Sequence, residues 1–279
     1  MASPLSPQGA AGDAKRAGSQ FVRTPLFEGL ARTGFLARGM VYAVIGILAL
    51  TLAFGAGGRA TDQEGALRTI GDRSFGTLLL TLMAIGLGGY SLWRLLRAAV
   101  GHGPEDSDST FDRISALASG LVYGFFCVVA VKLLLDSSKQ ASNSPDKTTS
   151  GVFDWPAGRW LVGIAGLVFI GVGLYQAYKG LTKSFLEDSK TEEMGPEVER
   201  TIGMLGTVGH LARAVVFGLV GVFLVKAAVE FDAKEAVGLD GALAKVLQQS
   251  YGQLLLGIVA AGLIAFAAYS ISDARYRRI

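Results

Sequence analysis

Charged and polar side chains inside long apolar runs are where chemistry would reside in this chain. Arg38, Ser119 and Arg213 occupy matching places near the start of three such runs. Thr51, Lys132 and Lys226 occupy matching places near their ends, thirteen residues further on in each case. Thirteen residues rise about 20 Å along an α-helix. An ionisable group within a membrane-spanning helix is costly and is often functional. Two accounts are open. In the first, each long side chain runs to its nearer membrane interface, covering the ~10 Å by which this rise falls short of a ~30 Å hydrocarbon core. In the second, Lys132 and Lys226 line an outward-facing vestibule of a small transporter or channel. Glu230 lies at i+4 from Lys226 and is placed to pair with it. Arg38, Thr51, Lys132, Arg213, Lys226 and Glu230 are thus the candidate pathway or interface positions.

Other chemistry is sparse. His210 and His102 are the two histidines, far apart in the chain and without metal-ligand spacing. His210 reads as a structural histidine, and Gln176 as a hydrogen-bonding group reaching a neighbouring helix. No nucleophile–base pair, paired carboxylates or phosphate-cradling glycine loop is visible. Glu192, Glu193, Glu197 and Glu199 read as a solvated charge run. The sequence therefore predicts a non-enzymatic protein with no catalytic, cofactor-binding or metal-binding residues. Gly86, Gly88, Gly89, Gly163, Gly166, Gly171, Gly173, Gly218 and Gly221 are expected to let helices approach closely. Tyr90, Trp93, Tyr175, Tyr178, Phe266 and Tyr269 are expected in an aromatic belt at the membrane interface.

Composition says what kind of chain must position these residues. Of 279 residues, 51% are hydrophobic and 18% charged, against about 25% charged in soluble domains. The apolar excess lies in long runs, and the 38 glycines fit membrane helices. The net charge of +3 reads as topology rather than nucleic-acid binding. The single cysteine, Cys127, leaves no intrachain disulfide. No apolar stretch precedes Phe35, so no cleavable signal peptide is expected and the first span acts as an anchor.

Six runs are long enough to cross a membrane. The first is expected over about Phe35 to Gly55. The second is uncharged from Ser74 to Trp93 and closes with Arg94 and Arg97. The others are expected over about Ile114 to Leu135, Trp160 to Tyr178, Gly206 to Val229 and Gly252 to Ile271. Residues 1–20 read as a disordered tail and 21–33 as a short interfacial helix. Short outer helices are expected over Asp62 to Gly71 and Ala242 to Leu247. The Gly101 to Asp112 stretch and the polar Ser137 to Asp154 stretch read as loops, and Lys183 to Arg200 as a charged, partly helical, solvated linker. Sixteen Lys and Arg fall on the side of the termini and ten on the other. This bias puts both termini in the cytoplasm of a multi-pass protein of the cytoplasmic membrane.

The runs repeat in pairs. Leu36-Ala37-Arg38-Gly39-Met40-Val41-Tyr42-Ala43 recurs as Leu117–Gly124 and Leu211–Gly218. Gly86, Tyr90 and Trp93 match Gly171, Tyr175 and Tyr178, then Gly262, Phe266 and Tyr269. Gly65-Ala66-Leu67 matches Gly241-Ala242-Leu243. A two-helix unit returns the chain to its starting side, so the units are parallel repeats about a pseudo-threefold axis along the membrane normal. The expected organisation is a cytoplasmic tail (1–28), a first repeat (29–103), a second (110–185), a charged linker (186–200) and a third repeat (201–279).

The pattern Leu-Ala-Arg-Gly-x-Val-Tyr, then Gly-Ala-Leu, then Gly-Leu-x-x-Tyr-x-x-Trp-Arg, with the ending Asp273-Ala274-Arg275-Tyr276-Arg277-Arg278-Ile279, resembles a bacterial, largely actinobacterial, membrane family called domain of unknown function 1206. The resemblance covers Gly29 to Ile279. The second unit departs most, with Ser119 for arginine and no Gly-Ala-Leu segment. The resemblance implies a topology and transfers no catalytic residue. The fold class expected is all-α: a polytopic membrane protein of six transmembrane helices in three tandem two-helix repeats. Its expected role is structural or interactive, with the lipid bilayer and other membrane proteins or a second copy as partners, no nucleic acid and no cofactor. The alternative is a transporter or channel with its pathway along the pseudo-threefold axis.

Overall fold

The computed structural model describes residues 25–55, 66, 76–100, 110–135, 158–232 and 235–278. Regular structure among them is helical. The described residues include seven α-helices of defined bounds: α1 (Pro25–Ala53), α2 (Gly76–Val100), α3 (Thr110–Leu135), α4 (Gly158–Thr182), α5 (Pro196–Glu230), α6 (Leu239–Leu247) and α7 (Gly252–Tyr276). Two 3-10 turns, Ser184–Leu186 and Thr191–Glu193, join α4 to α5. The only β pairing among the described residues is an isolated bridge between Ser189 and Arg277. Helices α1, α3, α4, α5 and α7 contain stretches long and apolar enough to cross a membrane. Helix α2 has 25 residues and carries Arg94 and Arg97 in its last two turns.

The helices outrun the apolar stretches that mark them. α1 begins at Pro25, so residues 25–33, the described part of the separate interfacial helix expected over 21–33, are the first turns of α1 instead. Glu28 and Arg32 pair at i,i+4 across those turns, which supports the continuous helix. Gly34 does not break it, because its missing side chain is what lets α1 lie against Tyr90 and the Gly86 carbonyl of α2. α5 begins at Pro196 rather than near Gly206. Proline is pre-organised for a first helical position, and Glu197 and Glu199 favour the positive end of the helix dipole. Its 35 residues rise about 50 Å, some 20 Å more than a hydrocarbon core.

The described chain forms two compact units, with the division inside α1. In the first, the start of α1 packs with α2 and α3. Phe35, Tyr90, Trp93 and Tyr123 make a cluster of edge-to-face and tilted rings with centroids 4.6–5.7 Å apart. The second holds the rest of α1 together with α4, α5, α6 and α7. Glycine permits close approach between α4 and α5, where a Cβ on Gly166 would lie 2.8 Å from the Gly221 carbonyl oxygen. A Cβ on Gly209 would lie 2.6 Å from the Phe266 Cα of α7.

The segment after α4 is charged, partly helical and largely exposed, as expected, but it is also anchored. Phe185 is buried against Gly206 and His210. Lys190 N donates to the Tyr276 carbonyl at 2.7 Å, and Arg278 N donates to the Asp188 carbonyl at 2.9 Å. The segment is thus stitched to the end of α7. The tail expected over 1–20, residues 101–109 of the first loop and the polar loop over 137–154 lie outside the described residues. So does the short helix expected over 62–71, apart from Ala66, which is helical and fully buried. Its counterpart Ala242 in α6 is fully buried too.

Candidate functional site

Arg38 lies one residue before Gly39, and that glycine sets its reach. A Cβ at Gly39 would lie 3.0 Å from the Ala267 carbonyl oxygen, so α1 runs against α7 there. Arg38 is buried between the two helices. Its Nε donates to Ser270 Oγ at 2.6 Å and its Nη2 to Asp273 Oδ2 at 2.8 Å. Ser270 and Asp273 are themselves almost wholly buried. Asp273 also faces Arg277 at 3.9 Å, and Arg277 donates to Asp188 at 2.6 Å. A chain of alternating charge therefore runs from α1 through the last turns of α7 to the α4–α5 linker. Removing one member of a buried pair strands the other charge.

Arg213, in α5, belongs to a neighbouring cluster. With the Gln176 amide oriented to suit both neighbours, its nitrogen donates to His210 Nδ1 at 3.0 Å and its oxygen accepts from Arg213 Nη1 and Nη2 at 2.9 Å. The Arg213 guanidinium lies 4.4 Å from the Phe266 ring centroid and 5.3 Å from that of Tyr42. Arg38 lies 5.3 Å from the same Phe266 ring. The structure therefore brings Arg38 and Arg213 together around one aromatic ring. His210 stacks on Phe185 and is crossed by Phe266 and Tyr269. It is buried, with Nδ1 on Gln176 and Nε2 without a hydrogen-bond partner.

In the first unit the equivalent of Arg38 is Ser119. Arg94 of α2 reaches it, Nη2 donating to Ser119 Oγ at 2.8 Å. One turn earlier, Ser91 Oγ donates to the Gly120 carbonyl at 2.7 Å. Cys127 Sγ donates to the Ala84 carbonyl at 3.3 Å. Trp93 lies under both Arg94 and Arg97.

The other candidates are consumed differently. Thr51 turns its hydroxyl back onto the Leu48 carbonyl of its own helix at 2.8 Å. Lys132 is exposed on α3. Lys226 pairs with Glu230 at 3.8 Å, as its spacing suggests, and more closely with Glu235 at 3.1 Å. Glu235 is shared with Lys245 of α6 at 2.8 Å. The hydrogen bond from Lys245, then that from Lys226, holds the Glu235 carboxyl below the usual carboxylate range. The charge of Lys226, one of the two that motivated a vestibule, is thereby met by two carboxylates.

Two expectations are corrected here. Tyr90, Trp93, Phe266 and Tyr269 are not an interfacial belt: each is almost fully buried and anchors a ring cluster. Tyr178 alone of the six is exposed. Among the packing glycines, Gly171 and Gly218 would offer a Cβ open space, so they bring no helix closer. Sequence reading also missed Ser270, Asp273, Asp188 and Glu235. Asp273 was conspicuous in the terminal motif, but its partner lies 235 residues away, beyond any local spacing rule.

Chemically, this arrangement fastens helices. Arg38, Asp273, Arg277 and Asp188 pair with one another, Arg213 is met by an amide and aromatic rings, and among the described residues no group of three or more His, Cys, Asp or Glu comes together as a metal site would require. The family model described as Domain of Unknown Function (DUF1206) matches the chain three times, over residues 33–101, 114–183 and 208–277. The chain is 34% identical over 258 residues to a Bacillus subtilis (strain 168) protein named Uncharacterized protein YxxB, a match covering 91% of this chain and 93% of that protein. No solved structure matches it. With three matches covering most of its length, the chain belongs to the DUF1206 family.

Proposed function

We propose that this chain is a six-span protein of the cytoplasmic membrane, with both termini cytoplasmic, and that its role is structural or interactive rather than enzymatic. The observation that carries this reading is the fate of the polar groups within the spans. Arg38, Ser270, Asp273, Gln176 and Arg213 bind one another across helices, which is how polar groups act as glue in a bilayer. Five described helices are long and apolar enough to span. Helix α2 supplies the sixth, since its 25 residues rise about 37 Å. The lipid-facing surface is broad: Leu121, Phe125, Val128, Leu167, Leu174 and Ile258 are all exposed apolar side chains.

Its partners in this reading are the bilayer and other membrane proteins or a second copy. Purification of the tagged full chain from native membranes after mild cross-linking tests it. The expected result is one reproducible membrane-protein or self-associated species that an unrelated six-span control does not retrieve. Repeated recovery of the chain alone and monomeric sinks the interaction role. Solute efflux from liposomes carrying the chain is expected to match that from empty liposomes.

A further inference from the structure

The second-helix motif places the aromatic residues Tyr90, Tyr175 and Phe266 in register. Four residues on, Arg94, Lys179 and Ser270 are equivalent, just as Arg38, Ser119 and Arg213 are equivalent in the opening helices. Two of the contacts between these sets use the same two residue types with their sides exchanged. On α1 and α7 the arginine is on the opening helix: Arg38 Nε donates to Ser270 Oγ at 2.6 Å. On α3 and α2 the serine is on the opening helix: Arg94 Nη2 donates to Ser119 Oγ at 2.8 Å.

The packing directly beside the pair is alike while the residues trade places, although the position of Asp273 on α7 is Arg97 on α2. A Cβ on Gly39 would lie 2.7 Å from Ile271 Cγ1, and one on the equivalent Gly120 would lie 2.7 Å from Leu95 Cδ2, the residue equivalent to Ile271. Two turns further along the helices the small residue changes sides. Gly46 faces Ile264, whereas the equivalent Cys127 faces Gly88, the equivalent of Ile264. In both contacts the pair holds one guanidinium and one small hydroxyl. Two arginines there would set like charges together where little water screens them. Two serines would leave the space of a long side chain empty. The third set breaks the pattern, with Arg213 on the opening helix and Lys179 on the second. There the arginine turns to Gln176 and the lysine to Asp188, 4.0 Å away.

We propose that this arginine–serine complementarity is the recognition element by which each opening helix selects its partner: the α1 opening seats on the second helix of the last repeat, and the α3 opening on the second helix of the first. The partner is a segment of the same chain, and the code is one large cation against one small hydroxyl, in either order.

Exchange within each pair tests the proposal on the full-length protein. Ser119→Arg should lower the thermal midpoint and the monodisperse fraction in mild detergent, since the introduced guanidinium would face that of Arg94. Arg94→Ser should also lower both, by emptying the contact. The exchanged double variant, Arg94→Ser with Ser119→Arg, reproduces the order found at Arg38 and Ser270. It should recover more than about half of the summed loss, because residues in contact couple. Arg38→Ser with Ser270→Arg should recover likewise, and there the introduced arginine lies one turn from Asp273. If the losses of the single variants add in both double variants, or if a double variant does no better than its worse single variant, the code is wrong. A single variant that fails to accumulate leaves the test intact, because the double variant must then accumulate for the proposal to stand.

Discussion

A glycine pressed against another helix and a glycine facing open space respond oppositely to a methyl group. Gly209 belongs to the first kind, its missing Cβ replaced by the backbone of Phe266. Backbone cannot swing aside as a flexible side chain can. Gly209→Ala is therefore expected to cost about 1–3 kcal/mol, the usual penalty of overpacking. Gly171 belongs to the second kind, with nothing within 4 Å, and Gly171→Ala is expected to gain about 0.5–1 kcal/mol from helix propensity. Thermal unfolding of the two variants in one detergent checks both signs. Equal effects would mean that the α5–α7 contact is not formed as described. The sequence presents these glycines alike, because spacing shows which residues are small and not what stands opposite them. Arg38 carries the same lesson. Its presence in an apolar run was legible, but its burial was not, since Asp273 and Ser270 approach only when α7 folds back onto α1. Arg38→Ala would leave Asp273 buried with Arg277 at 3.9 Å, a loss on the order of 3–5 kcal/mol.

Elements were legible by kind and less so by extent. All six apolar runs are helices, and α6 covers the short helix expected around Ala242. Their ends lie outside the apolar stretches because helix propensity and caps act where hydropathy no longer does, as Pro196 and Glu197 show for α5. The α4–α5 linker was legible as charged and exposed, but not its anchoring, because the groups that bind Asp188 and Glu192 come from the distant end of the chain, at Arg277 and Arg278. A comparable tether holds α6, where Glu235 joins Lys245 to Lys226 of α5. The two lysines lower the Glu235 pKa in the folded protein, so the sign of its pH dependence follows. The tether contributes fully above the unfolded glutamate value of about 4.3 and is lost as pH falls through the lower folded value. Glu235→Gln should lower the thermal midpoint by a constant margin from pH 7 down to about 5. Below about pH 4 the margin should shrink as the wild-type carboxylate protonates. A margin that widens on acidification would mean that the lysines do not stabilise the charged form.

At the scale of the whole molecule, the proposed orientation makes every span a statement about which side of the membrane its ends reach. Positions exposed in the structure can report this as single cysteines in a Cys127→Ser background. In the parent protein Cys127 itself should stay silent, since its thiol bonds to the Ala84 carbonyl within a span. Thr77 and Ala99 lie near the two ends of α2, and Lys183 and Tyr251 flank α5. A membrane-impermeant thiol reagent applied to intact cells should modify Thr77→Cys and Tyr251→Cys. Ala99→Cys and Lys183→Cys should react only after the cells are opened. The helix α2 comparison decides the number of spans, because its two positions share a side only if α2 does not cross. Modification confined to Ala99→Cys and Lys183→Cys in intact cells would turn the protein over and put the Lys- and Arg-rich face outside. That outcome would oppose the charge bias from which the orientation was inferred, because positive residues are retained on the cytoplasmic side during insertion.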